Sequence, residues 1–219
     1  MVSKDPGAPE KLIFDSKGDV LLIFSRRPED KDEGKDALGK PASLKRKAPN
    51  DAPETVTMLV SSKHMTLASP VFEAMLSGGR FKEGVELLAK GKAEIELPDN
   101  NPDAFSIIAQ IIHGRNQTVP QQVSFKILLE LAILTEKYQT HEIIGCISDY
   151  WVRNLFGATT VGLKRPVFRN EMISYLFISL VFGHDANFEQ HTRLAILYSD
   201  ETFGSDLNNR FYIPSSLIG

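Results

Sequence analysis

A highly charged segment separates two apolar runs, and it constrains the fold more than any other feature of the sequence. Residues 25–54 contain 8 basic and 7 acidic side chains together with four prolines. Too few apolar side chains remain to offset the conformational entropy that such a segment would lose on folding. We therefore predict a disordered insertion at 25–54. It should form a surface loop, because the entropy of loop closure grows slowly with length.

The two runs that flank this insertion have the pattern of β-strands. Residues 19–24 form a short apolar run after Gly18, and residues 55–60 are rich in β-branched side chains. We expect them to pair as an antiparallel hairpin with the insertion at its tip. A third strand is predicted at 93–97, where apolar residues alternate with glutamates before Pro98.

Helical patterns occupy most of the remaining sequence. The predicted helices are 62–67, 70–77, 101–114, 123–138, 141–156, 170–182 and 186–197. Ser69 and Asn101 are the predicted N-caps, and Gly78, Gly79 and Gly84 are interpreted as turn glycines. This order of elements does not support alternating βαβ units with a parallel sheet.

The overall composition is that of a soluble globular protein, with 42% hydrophobic and 24% charged residues and a net charge of −3. Cys146 is the only cysteine, which excludes an internal disulfide and a cysteine-rich zinc module. Its helical position predicts an inert, packed thiol. The first residues do not resemble a signal peptide, and no window approaches 18 uncharged apolar residues. We therefore expect a cytoplasmic or nuclear protein with no membrane partner.

Several short motifs, taken in order, resemble a BTB/POZ domain of the fungal type. An aspartate precedes the first strand, a Ser-Pro-x-Phe core follows, then a Leu-Pro-Asp strand end and a Pro-x-x-Phe helix that ends in glycine. The matching residues are Asp19, Met65, Ser69, Pro70, Phe72, Leu97, Pro98, Asp99, Pro102, Phe105 and Gly114. The resemblance covers residues 19–151, interrupted by the charged insertion.

The resemblance implies an α/β (α+β) fold, with a small, mainly antiparallel sheet packed on a helical bundle. Residues 1–18 are then an N-terminal segment, 19–151 the BTB/POZ-like domain, and 152–219 a helical C-terminal extension. It also implies a non-enzymatic protein–protein interaction module that mediates oligomerisation or scaffold assembly. A substrate adaptor for a cullin-type ubiquitin ligase is the alternative. The expected partners are proteins, including a second copy of the chain or a cullin, and no small-molecule substrate.

The resemblance also suggests two partner-binding sites. Phe81, Lys82 and Glu83 match the apolar-x-Glu pattern of members that bind cullins, although Phe81 packed on its own domain beside a solvated Glu83 is the alternative. Asp99, Asp103 and Phe105 lie where other members dock partners. The alternative for the two aspartates is that they stabilise the start of the following helix.

The remaining motifs favour neither catalysis nor nucleic-acid binding. Lys45, Arg46 and Lys47 match a short nuclear-import signal, with a solvated charge run as the alternative. This cluster neutralises too few phosphates for DNA binding. The five histidines have no metal-ligand spacing, and no phosphate-binding glycine motif occurs. We therefore predict no catalytic residue, metal site or cofactor.

Overall fold

The computed structural model describes residues 10–26, 54–160 and 169–198. Within these ranges the chain forms a four-stranded sheet and eight α-helices, which is a mixed α/β architecture. The strands are β1 (Glu10–Ile13), β2 (Val20–Arg26), β3 (Glu54–Val60) and β4 (Ala93–Glu96). The helices are α1 (Ser62–Ala68), α2 (Pro70–Leu76), α3 (Lys82–Lys90), α4 (Pro102–Ile112), α5 (Phe125–Tyr138), α6 (His141–Thr160), α7 (Arg169–Val181) and α8 (Asp185–Tyr198).

The strand order in the sheet is β1-β3-β2-β4. The predicted antiparallel hairpin is confirmed, because β2 pairs with β3 from Val20↔Val60 to Arg26↔Glu54. The expectation of a mainly antiparallel sheet is wrong, since β1 pairs with β3 and β2 pairs with β4 in parallel. Both parallel pairings connect strands that are joined by long crossovers, which local sequence patterns do not reveal.

The strands of the hairpin extend into the segment that composition assigned to the insertion. Ser25 and Arg26 belong to β2, and Glu54 belongs to β3. The predicted insertion between them, residues 27–53, lies outside the described residues, as does the basic cluster Lys45, Arg46 and Lys47. Because composition is averaged over a window of residues, the predicted insertion began two residues too early and ended one residue too late.

The sheet has one buried face, because residues in its strands alternate between buried and more exposed positions. The buried side chains of that face are Val20, Leu22, Phe24, Val56, Met58, Val60, Ala93 and Ile95. Met65, Phe72, Phe105 and Ile108 of the helices are also almost fully buried. Apolar residues of the strands and apolar residues of the helices together form the core of this part of the chain.

Helix α3 is not among the helices predicted from the sequence, and Gly84 is the reason. A glycine in this position was interpreted as a turn residue, but it lies in the first half of the helix. A Cβ atom at Gly84 would lie 2.8 Å from the Gly78 carbonyl oxygen and 2.9 Å from that of Met75. The glycine therefore allows α3 to approach the end of α2, a tertiary requirement that overrides its low helix propensity.

The chain divides into two compact units, which we describe separately. Of the described residues, 10–26, 54–120 and 138–140 belong to the first unit, and 121–137, 141–160 and 169–198 belong to the second. Most of α5 and all of α6 thus belong to the second unit, whereas the sequence analysis placed a boundary at residue 151. In that unit Trp151 of α6 is 1% exposed. Cys146 is exposed, so its prediction as a packed thiol is wrong.

Candidate functional site

Helix α3 has a favourable cap at its C-terminal end but no side-chain cap at its start. Phe81 is its N-cap in an extended conformation, and Gly91 ends it in the left-handed region with φ 67°. The Gly91 N–H donates to the Leu87 carbonyl at 2.8 Å. Glu83 in the first turn and Lys90 in the last turn each complement the helix dipole. The helix is therefore a well-defined element that presents a fixed set of side chains.

One side of α3 carries apolar side chains that remain in contact with solvent. Phe81 is 49% exposed, Val85 is 49% exposed and Leu88 is 74% exposed. Their spacing of four and then three residues places them on one side of the helix. We call Phe81, Val85 and Leu88 the α3 stripe. Such large apolar side chains are more often buried, so an exposed stripe of three is an unusual feature of the surface of this helix.

Charged side chains surround the α3 stripe. The Lys90 Nζ atom donates to a carboxylate oxygen of Glu86 at 2.5 Å. This hydrogen bond lowers the pKa of Glu86 and raises that of Lys90. Lys82 is exposed, Glu83 is partly exposed, and neither has an ion-pair partner in the described part of the chain. These two side chains can therefore pair with charges on another molecule.

The predicted site residues differ in their exposure to solvent. Phe81, Lys82 and Glu83 follow one another at the start of α3 and reach solvent. Asp99 is exposed in the loop before α4. Phe105 is 1% exposed, so its assignment as a partner-contacting residue is corrected. Its position on the apolar side of α4 explains the burial.

Asp103 belongs to an ion cluster around Arg26. One terminal nitrogen of Arg26 lies 2.6 Å from Glu10 Oε2 and 3.5 Å from Glu54 Oε2. The other terminal nitrogen lies 2.6 Å from Asp103 Oδ1. The Arg26 side chain is 10% exposed. One buried guanidinium thus connects β1, β2, β3 and the start of α4, and it stands at the base of the segment 27–53.

Asn101, rather than either aspartate, provides the cap of α4. Its side-chain oxygen accepts hydrogen bonds from the backbone N–H groups of Asp103 and Ala104, both at 3.0 Å. The predicted cap at Asn101 is therefore confirmed. Asp103 lies in the first turn, where its charge complements the helix dipole as expected, and its carboxylate also binds Arg26.

Asp19 supplies the cap of α1 from outside that helix. Its two carboxylate oxygens accept hydrogen bonds from the backbone N–H and the hydroxyl of Ser62, at 2.7 Å and 2.6 Å. His113 accepts the Ser61 N–H at its Nε2 atom, 3.1 Å away. Burial lowers the pKa of His113, which favours the neutral ring that this contact requires. These groups stabilise the connection between the sheet and α1.

A buried polar network connects the start of α2 with Tyr138. The Ser69 hydroxyl donates to the Tyr138 carbonyl at 2.6 Å and accepts the Phe72 N–H at 3.2 Å, which confirms Ser69 as the cap. The Asn100 side-chain amide donates to the Tyr138 hydroxyl at 3.1 Å. Burial raises the pKa of Tyr138 to about 12, so its hydroxyl stays protonated. The network has a structural role and presents no nucleophile to solvent.

Few other features of the described residues suggest chemistry. They contain no group of three or more histidine, cysteine or acidic side chains that could hold a metal ion. An open groove of about 460 Å³ is lined by Ala186, Glu189, Gln190, Arg193 and Leu194, all of α8. Its two charged groups pair with each other at 2.6 Å. No helix within residues 10–26, 54–160 and 169–198 is long and apolar enough to cross a membrane.

Sequence reasoning located the start of this surface but missed Val85 and Leu88. Their spacing from Phe81 was a usable signal, since positions 81, 85 and 88 have helical periodicity. Gly84 within the same segment obscured that signal. Comparison with known protein families and with curated proteins found no family model and no protein that matches this chain.

Proposed function

We propose that the chain is a non-enzymatic protein–protein interaction module of the BTB/POZ type, which acts in oligomerisation or scaffold assembly in the cytoplasm or nucleus. The α3 stripe is the surface that receives a protein partner. The observation that carries this proposal is the solvent exposure of Phe81, Val85 and Leu88 on one side of α3. No catalytic group, small-molecule substrate or cofactor enters the proposal.

The physical basis of binding is the burial of these apolar side chains. Full burial of a side chain such as valine, leucine or phenylalanine contributes about 1.5–3 kcal/mol. A partner that offers an apolar groove would cover the stripe in the helix-in-groove manner. Lys82 and Glu83 at the rim would then fix the orientation of the partner, since charges at a rim contribute more to specificity than to affinity.

Replacement of Leu88 with aspartate tests this proposal. We expect Leu88→Asp to weaken binding of the principal protein partner by about tenfold or more, because it places a charge in the apolar contact. The partner is first identified by affinity purification with mass spectrometry, and its affinity is then measured with purified proteins. Ile196→Asp is the matched control, because Ile196 is a similarly exposed apolar residue, 73% exposed, on α8.

Circular dichroism and thermal unfolding must show that both variants fold as the wild type does. Substitution of an exposed residue should change stability by roughly 0.5 kcal/mol or less. Equal affinity for the wild type and Leu88→Asp would contradict the proposal. So would equal loss of binding in Leu88→Asp and the Ile196→Asp control.

The adaptor for a cullin-type ubiquitin ligase remains a second candidate. It is favoured by the position of Phe81, which is 49% exposed, two residues before Glu83 at the start of α3. Purified cullin should then bind the wild type and not the Phe81→Ala, Glu83→Ala double variant. Equal binding of both forms, or binding of neither, would remove this candidate.

A further inference from the structure

The outer face of the sheet, opposite the buried core, has a second uncovered apolar surface. The register aligns the outward residues in two rows across all four strands. One row is Ile13, Leu59, Leu21 and Glu94, and the other is Lys11, Thr57, Ile23 and Glu96. We call these eight residues the outer sheet face.

None of the side chains on this face is fully buried. Ile13 is 47% exposed, and Leu21, Ile23 and Leu59 are partly exposed. Their neighbours on the opposite face, such as Leu22 and Met58, are 0% exposed. Four large apolar side chains in adjacent strand positions therefore form a patch. This patch is separate from the α3 stripe, since the patch lies on the sheet and the stripe lies on a helix.

The charges on this face lie at its two opposite edges. Lys11 is exposed on β1, the strand at one edge, and Glu94 and Glu96 are exposed on β4, the strand at the other edge. Lys90 of α3 interacts with Glu94, but its pKa is raised chiefly by its hydrogen bond to Glu86. Glu94 and Glu96 thus have no hydrogen-bonded cation in the described part of the chain.

We propose that the outer sheet face binds the same face of a second copy of this chain. This inference rests on the oligomerisation named in the proposed function, and it adds a second binding surface that is separate from the α3 stripe. A two-fold axis parallel to the strands would place the β1 edge of each copy over the β4 edge of the other. Lys11 of one copy then lies opposite Glu96 of the other and diagonal to Glu94, twice in each dimer. Leu59 of each copy meets Leu21 of the other in the centre, whereas Ile13 lies at the β1 edge, opposite Glu94 of the other copy.

The size of the face predicts a weak dimer. The central strands have seven residues and the edge strands four, at about 3.3 Å per residue and about 4.8 Å between strands. Each copy therefore contributes on the order of 350 Å², and the total of about 700 Å² is below the roughly 1,000 Å² of a stable interface, as expected for a transient contact. Two sheets that pack face to face in this way keep their strands within about 30° of each other.

Substitutions that reverse the charge of exposed residues test the proposal, and they should leave the fold intact. Sedimentation equilibrium of the full chain at several concentrations should show a reversible monomer–dimer equilibrium. Lys11→Glu, and separately Glu94→Lys with Glu96→Lys, should each raise the dissociation constant about tenfold or more, because both symmetry-related contacts become repulsive. An equimolar mixture of the two variants should regain wild-type dimerisation as a heterodimer, because both contacts are then attractive.

Lys63→Glu is the matched control, since Lys63 is an exposed lysine on α1 and should leave dimerisation unchanged. Circular dichroism must show that every variant is folded. A wild type that stays monomeric at all concentrations would overturn the proposal. So would folded charge variants that dimerise like the wild type, or a mixture that fails to restore the dimer.

Failure of this inference and failure of the proposed function give different results. If self-association occurs but is lost only in Leu88→Asp, the interaction module stands and the outer sheet face is not its surface. If the chain neither self-associates nor binds any protein in a manner sensitive to Leu88→Asp, the proposed function itself fails.

Discussion

Replacement of Phe105 with alanine is expected to lower the free energy of unfolding by about 3–5 kcal/mol. The Phe105 ring lies 5.0 Å from that of Phe24, 6.3 Å from that of Phe72 and 5.6 Å from that of Tyr138, measured between centroids. It is 1% exposed, so its removal leaves a cavity among three rings. Urea unfolding followed by circular dichroism measures the loss, provided that the slope with denaturant is unchanged.

The control for this substitution is Phe105→Leu, which keeps most of the volume and should cost less than Phe105→Ala. Comparison of the two variants separates the effect of lost packing on stability from an effect on partner binding. A Phe105→Ala variant with wild-type stability but reduced partner affinity would contradict the buried position. It would also restore the earlier assignment of Phe105 to a partner-binding surface.

Replacement of Arg26 with methionine is expected to lower the free energy of unfolding by about 3 kcal/mol. The substitution keeps the apolar stem but leaves Glu10, Glu54 and Asp103 close together without their cation. Removal of one partner of a buried ion pair is costly because the remaining charges stay desolvated. Partial exposure of these carboxylates, at 23–38%, keeps the effect at the lower end of the range.

The salt dependence of this loss identifies its cause. In Arg26→Met the three carboxylates repel one another without their cation, and mobile ions screen such interactions between partly exposed charges. The deficit relative to the wild type should therefore shrink when the ionic strength is raised from about 0.05 M to about 1 M. Urea unfolding at the two salt concentrations measures this change. A deficit that is independent of salt would show that lost packing, rather than charge, destabilises the variant.

Local patterns predicted much of the fold correctly. The hairpin of β2 and β3 was predictable because each strand is a compact apolar run. The cap at Asn101 was predictable because capping depends on a few consecutive residues. These features need no knowledge of distant parts of the chain, and the structure matches them closely.

The missed features depend on contacts between residues far apart in sequence. Strand β1 has four residues and gains its partner from β3, more than 40 residues later. Arg26 was assigned to the charged insertion because composition averages over a window, whereas its carboxylate partner Asp103 lies 77 residues away. Gly84 was misinterpreted because its role is to let backbone carbonyl groups at the end of α2 lie close to α3.

Phe105 shows that two kinds of sequence reasoning conflicted at one position. The spacing of Phe105 and Ile108 in the sequence is typical of the apolar side of a helix, whereas the family resemblance placed Phe105 on a docking surface. The structure agrees with the periodicity, since both residues are 1% exposed. Physical patterning was the better guide here because burial follows from the position of a residue on its helix.

The central claim, that the α3 stripe binds a protein, is tested most directly by a photo-crosslinking phenylalanine analogue in place of Val85. Val85 is half exposed in the middle of the stripe, so the probe would touch a bound partner without disturbing the core. The same probe at Ile196 provides the control. The account predicts a discrete crosslinked protein from position 85 that position 196 does not yield. No adduct at position 85, or the same adducts from both positions, would contradict it.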